Sequence, residues 1–207
     1  MTKDLQPILP SAAIEELRPT QITVGRREVE IKRKTWSELA ARKKREFLGR
    51  HPIPVILGPK NHCYVIDHHH LALALHEEGV KDVLLTVIAD LSKLEQSLFW
   101  ATMDSRSWVY PFDGKGKRRD YKAIPKTLSD LLDDPFRSLA GELRRVGGYS
   151  KETIPFDEFQ WADFLRRRIK PALVEKEFAR ALEKALALAK SNDADYLPGW
   201  CGPSSTD

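Results

Sequence analysis

The first half of the chain alternates short apolar runs with a segment of helical spacing. Turn-forming residues bound the apolar runs, which predict three buried strands: 53–57, 62–67 and 83–89. Gly58-Pro-Lys-Asn61 lies between the first two runs and has the composition of a hairpin turn. An apolar, Ala-rich segment from about His69 to Glu78 predicts a helix that stops before Gly79. Together these strands and this helix predict a mixed α/β half over residues 14–90. Residues 1–13, which precede it, look like a loose arm.

Helical patterns occur in both halves of the chain and dominate past residue 90. Thr35-Trp-Ser-Glu38 and Ser92-Lys-Leu-Glu95 both have capping-box spacing. They predict helices from about Trp36 to Phe47 and through about Met103. Further predicted helices are 124–132, 135–147, 156–169 and 171–190. Residues 91–200 therefore read as an all-helical half, and no linker-like stretch separates it from the first half. We expect the two halves to pack as one unit.

The composition adds a mild but uneven positive charge. The chain has 207 residues, of which 42% are hydrophobic, and a formal net charge of +4. Residues 26–50 carry ten Lys or Arg against four Glu, and residues 115–122 form a second basic cluster. Two interpretations stay open, namely solvated helix faces and loops or contacts with the phosphates of DNA.

Membrane and disulfide signals are weak. No apolar run approaches the roughly 20 residues that cross a bilayer, and the start has no segment of signal type. Cys63 and Cys201 are too far apart in sequence to indicate a disulfide framework or a zinc site. These observations predict a cytoplasmic protein with no membrane contact.

The most informative segment is the junction at Asp67-His68-His69-His70. It holds half of the chain's six histidines and joins a predicted strand to a predicted helix. A helix N-terminus carries a partial positive charge and suits an anion. That field disfavours imidazolium, so the empty turn should keep its histidines mostly neutral, and an arriving phosphate should favour their protonation.

The triplet has two other interpretations. Consecutive rings diverge by about 100° per residue on a helix and alternate on a strand, so a metal site within the triplet is not expected. One or two of the rings with Asp67 can still hold a metal that also binds substrate phosphate. Alternatively, one histidine caps the helix while another packs on an aromatic ring. Asp67 itself can orient a histidine tautomer or cap the helix.

The same junction resembles a known phosphate-binding turn. In the ParB/sulfiredoxin superfamily a strand ending in Asp-Gly is followed by a polar pair and Arg, and then by an Ala-containing helix. Asp67-His68-His69-His70 resembles the Asp-His-His-His variant of the ParB-like nuclease branch. The remaining segments that resemble this branch are Leu17–Gln21, Ile53–Ile56, Asp82–Ala89, Asp133–Ala140, Phe159–Arg166 and Leu197–Gly199. The resemblance implies an α+β, ParB/sulfiredoxin-like fold with a small mixed sheet and a helical C-terminal half.

This chain departs from the superfamily pattern at two positions. His68 stands where relatives have Gly, which removes close approach of the backbone to phosphate. Leu71 stands where relatives have Arg, which removes a bidentate donor and leaves a side chain suited to the core. Arg18 can replace that donor or form a surface salt bridge, and Gln21 is a further candidate contact. Neither supplies the carboxylate base of phosphate-transferring relatives, and that role is not assigned.

Three functions follow as expectations. The first is binding of a phosphate-bearing ligand, a nucleotide with or without a divalent metal, at Asp67 and His68, with phosphoryl transfer or phosphoester hydrolysis using His69 or His70 as acid or base. The second is a non-enzymatic DNA-binding or partition-type module that uses residues 26–50 and 115–122. The third is a metal-dependent nuclease, for which a carboxylate cluster is lacking.

Overall fold

The computed structural model describes residues 10–203. Strands within this range are β1 (Ser11–Ala13), β2 (Thr23–Val24), β3 (Ile53–Leu57), β4 (Cys63–Val65), β5 (Asp82–Asp90) and β6 (Leu132–Asp133). Helices within it are α1 (Arg26–Ser37), α2 (Ala41–Arg50), α3 (His69–Glu77), α4 (Gln96–Ser105), α5 (Pro135–Arg145), α6 (Asp157–Arg166), α7 (Pro171–Lys176) and α8 (Phe178–Ala189). The predicted α+β class, with a small mixed sheet and a helical C-terminal region, is confirmed.

The first of two compact units comprises the described residues up to Thr20, with 31–109 and 124–130. Its sheet has the order β1-β5-β3-β4, in which β3 runs parallel to β5 and antiparallel to β4. The apolar runs that predicted β3, β4 and β5 supply its core, together with α3: Ile53, Val55, Ile56, Val65, Leu73, Leu75 and Val83 are almost fully buried. The predicted strand-to-helix junction is therefore present in this unit.

The second unit comprises residues 21–30, 110–123 and the described residues from 131 onward. A buried cluster that includes Tyr149, Trp161 and Phe164 joins α5, α6, α7 and α8. The two-residue strands β2 and β6 pair in parallel. Asp134 caps α5, because its carboxylate accepts the backbone N–H of Phe136 at 3.0 Å.

Both capping-box predictions are wrong about where the helices begin. Helix α1 begins at Arg26, and the hydroxyl of Thr35 near its end donates to the carbonyl of Ile31. Thr35 thus lies inside α1 with a helical backbone, whereas an N-cap residue has a non-helical one, so Thr35 does not begin a new helix. The second box fails similarly, since α4 begins at Gln96 and its N-cap residue makes no side-chain capping bond.

Three other predicted segments differ from the structure. Residues 124–132 contain a short 3₁₀ turn, Leu128–Asp130, and the start of β6 instead of a helix. The last predicted helix is divided into α7 and α8 at Glu177, which has non-helical φ and ψ of −137° and 56°. Within the predicted arm, residues 1–9 lie outside the described residues, and Ser11–Ala13 form β1 against β5. The predicted division at residue 90 and the packing of both halves as one unit stay predictions.

Candidate anion-binding turn

The turn after β4 is held in a left-handed conformation at His68. This residue has φ 63° and ψ 23° and is the N-cap of α3. Its backbone N–H donates to the Asp67 carboxylate at 2.6 Å, and its carbonyl accepts the N–H of Ala72 at 2.8 Å. A side chain with a Cβ pays roughly 1–2 kcal/mol for this backbone region, whereas Gly does not. His68 therefore adopts the conformation that suits the Gly of the superfamily pattern.

His69 is buried and anchors the turn to the segment that precedes β2. This segment pairs with β4: the Arg18 N–H donates to the Cys63 carbonyl at 2.9 Å, and the Val65 N–H donates to the Arg18 carbonyl at 2.8 Å. A continued parallel ladder would bring the Thr20 N–H to the Val65 carbonyl. Instead that carbonyl accepts the Thr20 hydroxyl at 2.7 Å, and the Thr20 N–H donates to Nε2 of His69 at 3.1 Å.

This arrangement determines which form of the His69 ring is present. A backbone N–H is always a donor, so Nε2 of His69 must carry a lone pair and the proton lies on Nδ1. If Nε2 carried a proton, its N–H and the backbone N–H of Thr20 would point at each other with no acceptor between them. His69 is therefore a neutral ring whose Nε2 is occupied by the Thr20 backbone. The next histidine, His70, is half-buried in the first turn of α3.

His68 is exposed, and groups of both signs act on its ring. Its pKa is lowered from the ordinary value chiefly by the partial burial of the ring. The Asp67 carboxylate has the largest effect among the neighbouring charges and opposes this shift, whereas Lys32 and His51 add to it. The empty turn thus favours a neutral His68.

The side chain of His51 is held in place by α2. Its ring stacks on Phe47 with a centroid separation of 4.1 Å, and its Nδ1 lies 2.8 Å from the Phe47 carbonyl. A carbonyl only accepts, so Nδ1 is the donor in this bond. Sequence analysis did not single out His51 or Thr20 as site residues. His51 directly follows the basic cluster 26–50, and no local pattern links His51 or Thr20 to the triplet.

The other predicted contacts lie elsewhere. Leu71 is 5% exposed on α3, so the residue at the superfamily's Arg position faces the core, as expected. Arg18 lines a cavity together with His62 and Cys63, and the triplet does not line that cavity. Gln21 is buried in the second unit, where its backbone bridges to Tyr110. The structure thus brings Asp67, His68, His69 and His70 together and places Arg18 against a different surface.

The two basic clusters are partly neutralised. Arg33 pairs with Glu77 and Glu78. On α2, Arg42 and Lys43 share Glu46, and in the cluster 115–122 Arg119 pairs with Asp113. Exposed pairs of this kind contribute little free energy and can be replaced by a phosphate.

Within residues 10–203 no three His, Cys, Asp or Glu side chains are grouped as metal ligands, and no helix there is long and apolar enough to cross a bilayer. Cys63 and Cys201 are both free thiols. The cytoplasmic location stays a prediction.

Comparison with known proteins agrees with the fold. A family profile described as "Putative ParB-like nuclease" matches residues 11–167. The chain is also similar to a solved structure, "Crystal structure of protein Atu1540 from Agrobacterium tumefaciens", at 55% identity and a TM-score of 0.88, covering 95% of this chain and 99% of that one. No curated protein matches the sequence. Since the profile spans the sheet, the histidine turn and helices α1 to α6, the chain belongs to the putative ParB-like nuclease family.

Proposed function

We propose that the turn from Asp67 to His70 binds a phosphate-bearing ligand, most simply a nucleotide. The observation that carries the proposal is the position of His68. Its ring is exposed at the N-terminus of α3, where Lys32 contributes positive charge against the carboxylate of Asp67. A helix N-terminus and nearby cations both favour an anion. The family name supports the same ligand class, because a nuclease acts on phosphodiesters.

Binding of an anion here is coupled to protonation. Burial of the ring is the main cause of the lowered pKa of His68, and Lys32 lowers it further against Asp67, so the ring is mostly neutral near neutral pH. A bound phosphate offsets the charges of Lys32 and His51 and raises that pKa. The ring then takes up a proton and donates to a phosphate oxygen as a charge-assisted hydrogen bond. We therefore expect ligand binding and proton uptake to occur together.

The other residues of the turn have different roles in this proposal. His69 positions the turn through Thr20, and Asp67 holds the His68 backbone. Phosphoryl transfer or phosphoester hydrolysis would need an acid or base at the same place. His70 suits that role better than His69, because Nε2 of His69 is occupied. Arg18 and Gln21 are less suited to the role of ligand contacts at the turn.

Calorimetry with sulfate and with ADP tests the binding step. Titrations near pH 6.5, the ordinary pKa of histidine, in two buffers of different ionisation enthalpy measure the protons taken up. We expect uptake on binding, and we expect the uptake to disappear in His68→Asn, since Asn tolerates the left-handed backbone but has no ring to protonate. Lys32→Gln should weaken binding and reduce the uptake.

His76→Asn is the matched control, because His76 is a half-buried histidine at the opposite end of α3. It should leave binding and uptake at the turn unchanged. Sulfate binding without proton uptake, or with equal uptake in His68→Asn, would show that the proposal is wrong.

A DNA-binding module is the second candidate. On α2 four consecutive basic residues occupy positions 42–45; Arg42 and Lys43 pair with Glu46, and Arg45 is exposed. Duplex binding through these residues and 115–122 should weaken steeply with salt, by about 0.9 in log K per log salt unit for each phosphate neutralised. It should persist in His68→Asn and decline in Arg42→Gln/Arg45→Gln. Binding that needs His68 and ignores α2 would instead favour the first candidate.

A further inference from the structure

The first unit contains a cavity that does not include the histidine turn. Its volume is about 460 Å³, which lies within the range of pockets for small molecules. The 3₁₀ turn after β1, the Pro59–Asn61 turn between β3 and β4, and residues 126–127 form its walls. We refer to it as the Arg18 cavity.

Cationic side chains outnumber carboxylates in the Arg18 cavity. Arg18, Lys60 and Lys126 line it, against Glu15 and Glu16. This excess of positive charge acts on His62, which also lines the cavity. Burial lowers the pKa of His62, Arg18 and Lys60 lower it further, and Glu16 opposes them with a smaller effect. The potential at the His62 ring is therefore positive, which favours a ligand with negative charge.

The backbone that presents these groups is held in a sparsely populated conformation. Lys60 and Asn61 are consecutive non-Gly residues with positive φ, 62° and 58°. Strain of this kind costs of order 1–3 kcal/mol per residue and persists where the surroundings enforce it, often at ligand sites. Gly58 is packed so closely against Tyr64 that a Cβ would lie 2.5 Å from its ring, and its N–H donates to the His62 carbonyl at 2.9 Å. The turn that carries Lys60 and Asn61 is thus packed against β4 at Gly58.

We propose that the Arg18 cavity is a second ligand site, which binds a small polar molecule through a carboxylate or phosphate group held by Arg18, Lys60 and His62. Arg18 offers a planar pair of donors that matches either oxyanion. Glu15 and Glu16 accept from hydroxyl or ammonium groups on the rest of the molecule. The Cys63 thiol is a neutral part of the wall, since burial and Glu16 raise its pKa. This site is independent of the function proposed for the turn.

Histidine-selective ¹H–¹³C NMR on the full chain tests the proposal. Inorganic phosphate and malate are the two probes, added at constant pH and ionic strength, and they distinguish the two oxyanions. The His62 resonance, identified from His62→Asn, should shift saturably with at least one probe, and its titration midpoint should rise. Loss of one charge-assisted bond should weaken binding roughly tenfold or more in Arg18→Gln and in Lys60→Asn.

Both variants are designed to fold. The backbone of Arg18, not its side chain, pairs with β4, and Asn accepts the positive φ of residue 60. Lys93→Gln removes an exposed lysine of the same unit that does not line the cavity and should bind like wild type. A His62 signal that neither probe shifts, or one that shifts equally in Arg18→Gln and Lys60→Asn, overturns the proposal. His68→Asn should not affect these shifts, so failure here is distinguishable from failure at the turn.

Discussion

The backbone N–H of Thr20 donates to Nε2 of His69 at 3.1 Å, in a position where a continued strand ladder would use a backbone carbonyl. A side chain at the start of α3 thus completes the pairing of a segment that lies 49 residues earlier in the chain. The bond ties the histidine turn to the sheet. It also leaves His68, and not His69, as the exposed imidazole at the helix N-terminus.

Replacing His69 should destabilise the fold through Thr20. His69→Phe keeps a planar ring but removes the acceptor, so the buried Thr20 N–H loses its partner at a cost of about 1–3 kcal/mol. His69→Gln retains an acceptor oxygen and should recover part of that loss. Chemical denaturation followed by circular dichroism measures both. His76→Phe, on the same helix, is the control, because Nδ1 of His76 has no hydrogen-bond partner among the described residues. Equal stability of His69→Phe and wild type would contradict the anchoring role.

Substitutions at His68 should report the strain in its backbone. His68→Ala and His68→Gly both remove the ring, but Ala keeps the Cβ that disfavours the left-handed conformation. We expect His68→Gly to be the more stable of the two by about 1 kcal/mol, measured as the difference in unfolding free energy. The reverse order would show that residue 68 does not need positive φ.

The stability of the protein should fall as the pH drops below about 6.5, the ordinary pKa of histidine. His62 and His68 both have pKa values lowered in the folded state, so the unfolded chain binds more protons in this range. Stability then rises with pH and is lost as pH falls from the unfolded pKa through the folded ones. Urea unfolding at a series of pH values should show a shallower dependence in His62→Asn/His68→Asn. An unchanged dependence in that double variant would contradict the assignment.

Asp134 should contribute to α5 mainly as a cap. Asn accepts the Phe136 N–H as Asp does, whereas Ala does not, so Asp134→Ala should be about 1 kcal/mol less stable than Asp134→Asn. Both variants lose the ion pair to Arg166, which makes the comparison specific for the cap.

The dependence of the unfolding free energy on pH in the acidic range gives a second test of Asp134. Burial raises the pKa of Asp134 despite Arg166 and Arg137, so its contribution is present at low pH and is lost as pH rises through the folded pKa. Asp134→Asn should abolish that contribution. A pH profile identical to that of wild type would contradict the raised pKa.

Several elements were predictable because their signals are local. The apolar runs at β3, β4 and β5 and the Asp134-Pro135 start of α5 depend on neighbouring residues alone. The capping-box patterns predicted the wrong helix starts because a Thr or Ser hydroxyl can bond to the preceding turn as well as to the following one. Only the packing of α1 decided that Thr35 donates to Ile31. Hydrogen bonds of this kind compete at every helix end.

The order of residues along the chain by itself determined that an Asp and three histidines stand where a buried strand meets a helix. Tertiary structure alone decided the separate roles of the three rings. Thr20 reaches His69, and Lys32 and His51 reach His68, only after distant segments have folded against β4 and α3. Arg18 likewise faces its own cavity because β4 pairs with its backbone. Burial, charge and hydrogen-bond partners are properties of that assembled environment, so no local pattern encodes them.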